Sequence, residues 1–117
     1  MLIRPIGEVL GDFVARSRAQ DMGTTLRHEA KRSLVNFFGC AIGVARDPAV
    51  ETALRVLRPF SGSADATVIG RPERLDPMAA AFVNAVAANL LDYDDTHLAT
   101  VIHPTAPVAA PLLALGE

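Results

Sequence analysis

The sequence is short of the residue types that build cross-links and metal sites. It has one cysteine, Cys40, no tryptophan, and aromatic residues make up only 5% of its 117 residues. A single cysteine excludes an internal disulfide, and the chain has no Cys-x-x-Cys pair or Cys/His cluster to bind zinc. We therefore predict no disulfide, no metal, and a reducing, cytoplasmic location.

Long apolar runs and blocks of like charge are also missing. The uncharged helical stretch 77–91 is shorter than the roughly 20 residues that span a bilayer. The stretch 98–116, uncharged apart from one histidine, is interrupted by Pro104, Pro107 and Pro111, which disfavour a continuous helix. The N-terminus lacks the apolar core of a secretory signal. With a net charge of −2 and both signs mixed, we predict no membrane segment and no nucleic-acid partner.

What the chain does have is apolar surface in a small domain. Half of its residues are apolar and its mean hydropathy is +0.28. A domain of this size buries one core but not a large two-domain active site. We expect part of the apolar surface to face another domain or subunit, and we expect a homo-oligomer.

Apolar periodicity predicts helices in the first half of the chain. An amphipathic helix is expected over 6–18, and a second from Thr24 or Thr25 to about Ile42. Asp47 followed by proline predicts a capped third helix that stops before position 59. Val9, Leu10, Phe13 and Val14 are expected to lie on one side of the first helix. The inward stripe of the third helix is expected to hold Val50, Ala53, Leu54 and Leu57.

The second half is predicted as a long loop, a buried helix and a final helix. Glycine, proline and small polar residues over 60–77 predict a loop, with 66–69 as its only short extended piece. The Ala-rich segment 78–91 is apolar nearly all round, which is typical of a central helix buried on most faces. Helical character returns over 106–115. The fold class predicted is all-α and bundle-like.

Polar residues of catalytic type are concentrated after the Ala-rich helix, at Asp92, Asp94, Asp95, Thr96, His97 and His103. A carboxylate can act as a base, and an imidazole exchanges a proton near neutral pH. Simpler interpretations stay open. The aspartates can form a solvated turn, and His103 can be a loop histidine bonded to backbone. Asn84 and Asn89 are expected to satisfy buried partners, and Cys40 to be inert core.

A metal-binding helical module is a further alternative that rests on the aspartates alone. The cluster lacks the regular spacing and closing glutamate of a calcium loop, and it does not match the H-E-x-x-H zinc motif. A magnesium-diphosphate site would need a second acidic helix, which the sequence does not contain.

The strings around this cluster resemble one enzyme family. LDYDDTH at 91–97, then His103-Pro104 and APVAAPLLALG at 106–116, resemble a segment of the MmgE/PrpD (2-methylcitrate dehydratase) family. ATVIGRPERLDPMAAAFVNAVAANL upstream is similar to the same family, and LRHEAKRSLVNFFGCAIGVAR resembles its second helix. The likeness covers nearly the whole chain, so residues 1–117 are interpreted as part of the N-terminal helical domain.

The resemblance implies a two-domain lyase or isomerase without an organic cofactor. Family members dehydrate 2-methylcitrate, decarboxylate cis-aconitate or epimerise iminodisuccinate at a site between a helical domain and a smaller lid. Carried over by motif, the catalytic residues are His103, for proton transfer, and Asp92, which would orient a catalytic group or help to transfer the proton. Thr96 would bind substrate, and Asp95 and His97 are second choices that also order the loop.

The length departs from the family pattern. The cationic groups expected to bind the carboxylates of a small polycarboxylate substrate would lie in a missing C-terminal domain, so we expect the chain to be inactive alone. The alternative is a degenerate helical fragment that acts only by association or dimerisation.

Overall fold

The computed structural model describes residues 4–117. Within them lie five α-helices, two short 3-10 turns and one two-stranded hairpin, and the mainly helical fold predicted from the sequence is confirmed. The helices are α1 (Ile6–Arg16), α2 (Thr24–Gly43), α3 (Pro48–Leu57), α4 (Pro77–Asn89) and α5 (Thr105–Gly116). The strands are β1 (Ala66–Thr67) and β2 (Arg74–Leu75). The contacts divide the chain into two units, residues 1–30 and 31–117.

The first unit contains α1, the 3-10 turn Ala19–Asp21 and the start of α2. α1 ends at Arg16 rather than at position 18, because Ser17 is extended and its backbone N–H bonds to the carbonyl of Phe13. No residue of α1 is buried, and Phe13 is 69% exposed. The apolar side of α1 is therefore left uncovered within residues 4–30.

The second unit carries the core. α4 packs mainly against α5 and also contacts α3 and both strands, so α4 is the central helix, as predicted. Much of the core is alanine, and small side chains let the helix axes approach closely. The buried apolar residues of the two packed helices are Ala79, Ala80, Val83, Ala87, Ala88, Ala106, Ala109, Ala110 and Ala114.

Two aspartate-proline pairs start helices as predicted. The carboxylate of Asp47 accepts a hydrogen bond from the N–H of Ala49 at 2.8 Å, and Asp76 accepts from Met78 at 3.0 Å. Burial of α4 is less complete than predicted, since Met78 is 83% and Phe82 is 57% exposed. One face of α4 has no covering element among the described residues. The apolar composition of α4 therefore predicted more burial than the structure shows.

The segment predicted as a loop contains a hairpin. β1 and β2 pair antiparallel, with Ala66 opposite Leu75 and Thr67 opposite Arg74. Only the first strand was expected, because an Arg-Leu pair carries little strand preference and its pairing depends on the intervening turn. Gly70 in that turn has φ +74°. A Cβ atom there would lie 2.7 Å from the Cβ of Ala45.

The predicted final helix is present, extended by one residue at each end of the expected 106–115. Its Pro107 lies in the first turn, where a missing N–H costs nothing. Searched over residues 4–117, the helices include none with the length and apolar character needed to cross a membrane.

Candidate active site

The polar cluster begins where α4 ends. The N–H of Asp92 bonds to the carbonyl of Asn89 at 3.0 Å, and Asp92 has φ +56°. Aspartate enters this left-handed region more readily than most residues, and such a residue often ends a helix. Beyond this reversal Asp94 is buried, whereas Tyr93 is 75% exposed.

His103 lies between two aspartates of the cluster. Its Nδ1 is 3.1 Å from Oδ1 of Asp94, and its Nε2 is 3.6 Å from Oδ1 of Asp92. The side chain of Asp92 is 84% exposed, that of His103 31% and that of Asp94 1%. The predicted pair His103 and Asp92 is thus brought together, with the imidazole between a buried and an exposed carboxylate.

Asp94 is the member of this group that the sequence reasoning did not select. Its Oδ2 accepts a hydrogen bond from the side-chain amide of Asn89 at 3.0 Å. The sequence spacing does not show which aspartate of the turn is buried, because turns have no repeating periodicity. The nearest signal is Asn89, because an amide in an apolar helix requires a polar partner close by.

Asp95 is held at the beginning of α5. Its Oδ1 accepts from the N–H of Thr105 at 3.2 Å, and its Oδ2 accepts from the Thr105 hydroxyl at 2.5 Å and from the Ser33 hydroxyl at 3.3 Å. A carboxylate at this end of a helix also interacts favourably with the helix dipole. These contacts favour the loop-ordering role over substrate binding.

Thr96 and His97 lie in the exposed part of the loop. The Thr96 hydroxyl contacts the carbonyl of Asp94 only at 3.5 Å, which leaves it free to bind another group. Nδ1 of His97 is 2.7 Å from the Thr100 hydroxyl, and its N–H bonds to the carbonyl of Ile102 at 2.9 Å. In the described chain no hydrogen bond or ion pair joins either residue to His103.

One face of α2 supports the cluster from the other side. Asn36 donates to the carbonyl of Tyr93 at 2.9 Å, and Ser33, three positions earlier, donates to Asp95. Cys40 follows on the same face. Burial, and secondarily the charge of Asp94, raise the pKa of the Cys40 thiol. Cys40 is half-buried rather than core, and its raised pKa disfavours the reactive thiolate.

The cluster also has the composition of a cation site. Asp92, Asp94 and His103 each offer one ligand atom, and these atoms lie within 4.8 Å of one another. Two carboxylates and an imidazole are ligands for several divalent metals. The sequence-based prediction of no metal therefore stays a prediction.

The chain belongs to the MmgE/PrpD family, because the model of the MmgE/PrpD N-terminal domain matches residues 8–117. The family resemblance read from the acidic and His-Pro motifs is thus confirmed.

Curated relatives agree with this assignment. The chain is 29% identical over its whole length to the cis-aconitate decarboxylase of Mus musculus and 30% identical to that of Homo sapiens, and it covers 24% of each. It is 25% identical over 92% of its length to the cis-aconitate decarboxylase-like protein oryM of Aspergillus oryzae, of which it covers 22%. The chain thus spans about a quarter of the length of these relatives.

Proposed function

We propose that this chain forms one wall of the active site of a cofactor-independent lyase that acts on small polycarboxylates. His103 transfers the proton, Asp92 assists it at the exposed side of the ring, and the Thr96 hydroxyl binds a substrate carboxylate or hydroxyl. The observation that carries the proposal is the position of His103 between Asp92 and Asp94, partly open to solvent.

The chemistry requires such an arrangement. Loss of water or CO2 from a polycarboxylate moves a proton or an electron pair at a carbon next to a carboxylate, so an acid or base must lie within hydrogen-bond reach. An imidazole with one open nitrogen meets that need. The carboxylates of this wall would repel the substrate, so cationic groups must come from another part of a longer protein or from a partner subunit.

The test assays the longest reading frame that contains this chain, using cis-aconitate for CO2 release and 2-methylcitrate for water loss. His103→Ala is expected to lower kcat by about 100-fold or more, the usual contribution of a general acid or base. His28→Gln, an exposed histidine of α2, is the matched control and should retain full turnover. Full activity in His103→Ala would remove the assigned role.

A second candidate function is association alone, as a helical module that dimerises or docks on another domain. Its support is the exposed apolar surface of α5, where Val108, Leu112 and Leu115 are 56%, 65% and 74% exposed. Light scattering separates the candidates. If the whole reading frame turns over neither substrate and the chain forms a defined dimer, association replaces catalysis as the function.

A further inference from the structure

We infer that Asp94 is a positioning residue for His103. It fixes one proton of the imidazole on Nδ1 and leaves Nε2 as the nitrogen that exchanges a proton with substrate, taking it in loss of water and giving it to carbon in loss of CO2. The inference rests on the proposed function only for its effect on turnover. The assignment of the ring proton concerns this chain alone.

The carboxylate of Asp94 is held in place by the fold. Its side chain is 1% exposed, and its Oδ2 is fixed by the amide of Asn89, the last residue of the central helix α4. Its neighbours Tyr93 and Asp95 are both bonded to side chains of α2. The backbone carbonyl of Tyr93 and the side chain of Asp95 are therefore held on either side of Asp94, which restricts the position of its Oδ1.

The free oxygen of that carboxylate faces the ring of His103. Oδ1 and Nδ1 are 3.1 Å apart, and both atoms are buried with no hydrogen-bond partner among the described residues. Buried polar atoms are rarely left unpaired, because each then loses its bonds to water without replacement. An Nδ1–H directed at Oδ1 would give the donor and the acceptor each a partner.

An ionised carboxylate accepts hydrogen bonds and cannot donate one. A neutral imidazole beside Oδ1 is therefore stabilised with its proton on Nδ1 and a lone pair on Nε2. Nε2 points toward the exposed Asp92, at 3.6 Å. Asp92 is too exposed to hold the imidazole in one orientation. Asp94 therefore positions the ring, and Asp92 lies beside the nitrogen that faces solvent.

Long-range proton–nitrogen correlation spectra of the 117-residue chain, with 15N-labelled histidine, report the tautomer directly. The three histidines are assigned with His28→Gln and His97→Gln. In the unmodified chain at a pH where the ring is neutral, we expect His103 to carry its proton on Nδ1. A proton on Nε2 overturns the inference without any variant.

Asp94→Asn changes the acceptor into a donor at nearly constant shape. Its amide oxygen can keep the bond from Asn89, and its amide nitrogen then faces Nδ1, so the ring proton should move to Nε2. Asp92→Asn is the control and should leave the proton on Nδ1. An unchanged tautomer in a folded Asp94→Asn chain contradicts the inference.

Turnover of the longest reading frame gives the second readout. Asp94→Asn should lower kcat by about 100-fold, as misplacement of a catalytic group does, with KM little changed. A changed KM with unchanged kcat contradicts the inference. If the unmodified frame has no turnover, the proposed function fails, and the tautomer still decides the role of Asp94.

Discussion

The side-chain oxygen of Asn84 accepts a hydrogen bond from the N–H of Ile69 at 2.9 Å, and its amide donates to the carbonyl of Thr67 at 2.9 Å. Asn84 is 2% exposed and lies within α4. One side chain thus pairs two backbone groups of the hairpin segment and ties that segment to the central helix. The partners expected for this buried amide are confirmed.

Replacing that amide should destabilise the chain strongly. Asn84→Leu leaves the N–H of Ile69 and the carbonyl of Thr67 without their partner, and we expect a loss of about 2 to 4 kcal/mol in the free energy of unfolding. Urea unfolding followed by circular dichroism measures it. Thr52→Val is the control, since its exposed hydroxyl bonds only to the carbonyl of Pro48, and a change below about 0.5 kcal/mol is expected. Equal effects in both variants would contradict the role of Asn84.

Replacing Gly70 and Gly39 by alanine should change the free energy of unfolding in opposite directions. Gly70→Ala places a Cβ on a residue with φ +74° and 2.7 Å from the Cβ of Ala45, so a loss of more than about 1 kcal/mol is expected. Gly39→Ala, within α2 and with nothing within 4 Å, should gain up to about 1 kcal/mol from helix preference. Thermal and urea unfolding of both variants test the pair. A neutral Gly70→Ala would show that the turn adopts another conformation.

Acid should weaken the ion pairs of Arg71. This guanidinium is 5% exposed and contacts Glu51, Glu73 and the carbonyl of Ala45. The hydrogen bonds from Arg71, and from the backbone N–H of Glu73 itself, lower the pKa of Glu73 to about 2. A lowered carboxyl pKa stabilises the folded state above the ordinary value of 4.5, and that contribution is lost as pH falls toward 2.

The measurement is the urea midpoint between about pH 6 and pH 2. Glu73→Gln should reduce stability at neutral pH. Its urea midpoint should also fall less between about pH 6 and pH 2 than that of the unmodified chain. Glu8→Gln, on exposed α1, serves as the control, and its urea midpoint should depend on pH as that of the unmodified chain does. If the urea midpoints of Glu73→Gln and the unmodified chain change in parallel with pH, the pKa of Glu73 is not lowered by folding.

Divalent metal should have little effect at low concentration, as the sequence predicts. Of the three possible ligands, Asp92 is 84% exposed and one oxygen of Asp94 already binds Asn89. We expect about 10 µM zinc to leave the unfolding temperature unchanged, whereas a site with Kd below that value would raise it. A rise that disappears in Asp94→Asn and persists in His28→Gln would establish a metal site instead.

Local signals account for the elements that were predicted well. Asp47 and Asp76 lie directly before prolines, and both cap a helix, because the capping bond joins residues two or three positions apart. The hairpin was predicted only in part. Its second strand has little strand preference of its own and forms by pairing with the first across the intervening turn. The Gly70 turn closes against Ala45, which lies outside any short window around the hairpin.

The sequence by itself determined the family, the helices and the location of the polar cluster, because motif, periodicity and capping are properties of neighbouring residues. Only the tertiary structure decided which aspartate is buried beside His103 and which one binds the first residue of α5. It also decided that the apolar side of α1 is exposed. Those outcomes depend on burial and on partners far along the chain. Asp94 meets His103 and Asn89 because the end of α4, the residues before α5 and two side chains of α2 meet at one turn. Burial there distinguishes three aspartates that are chemically identical.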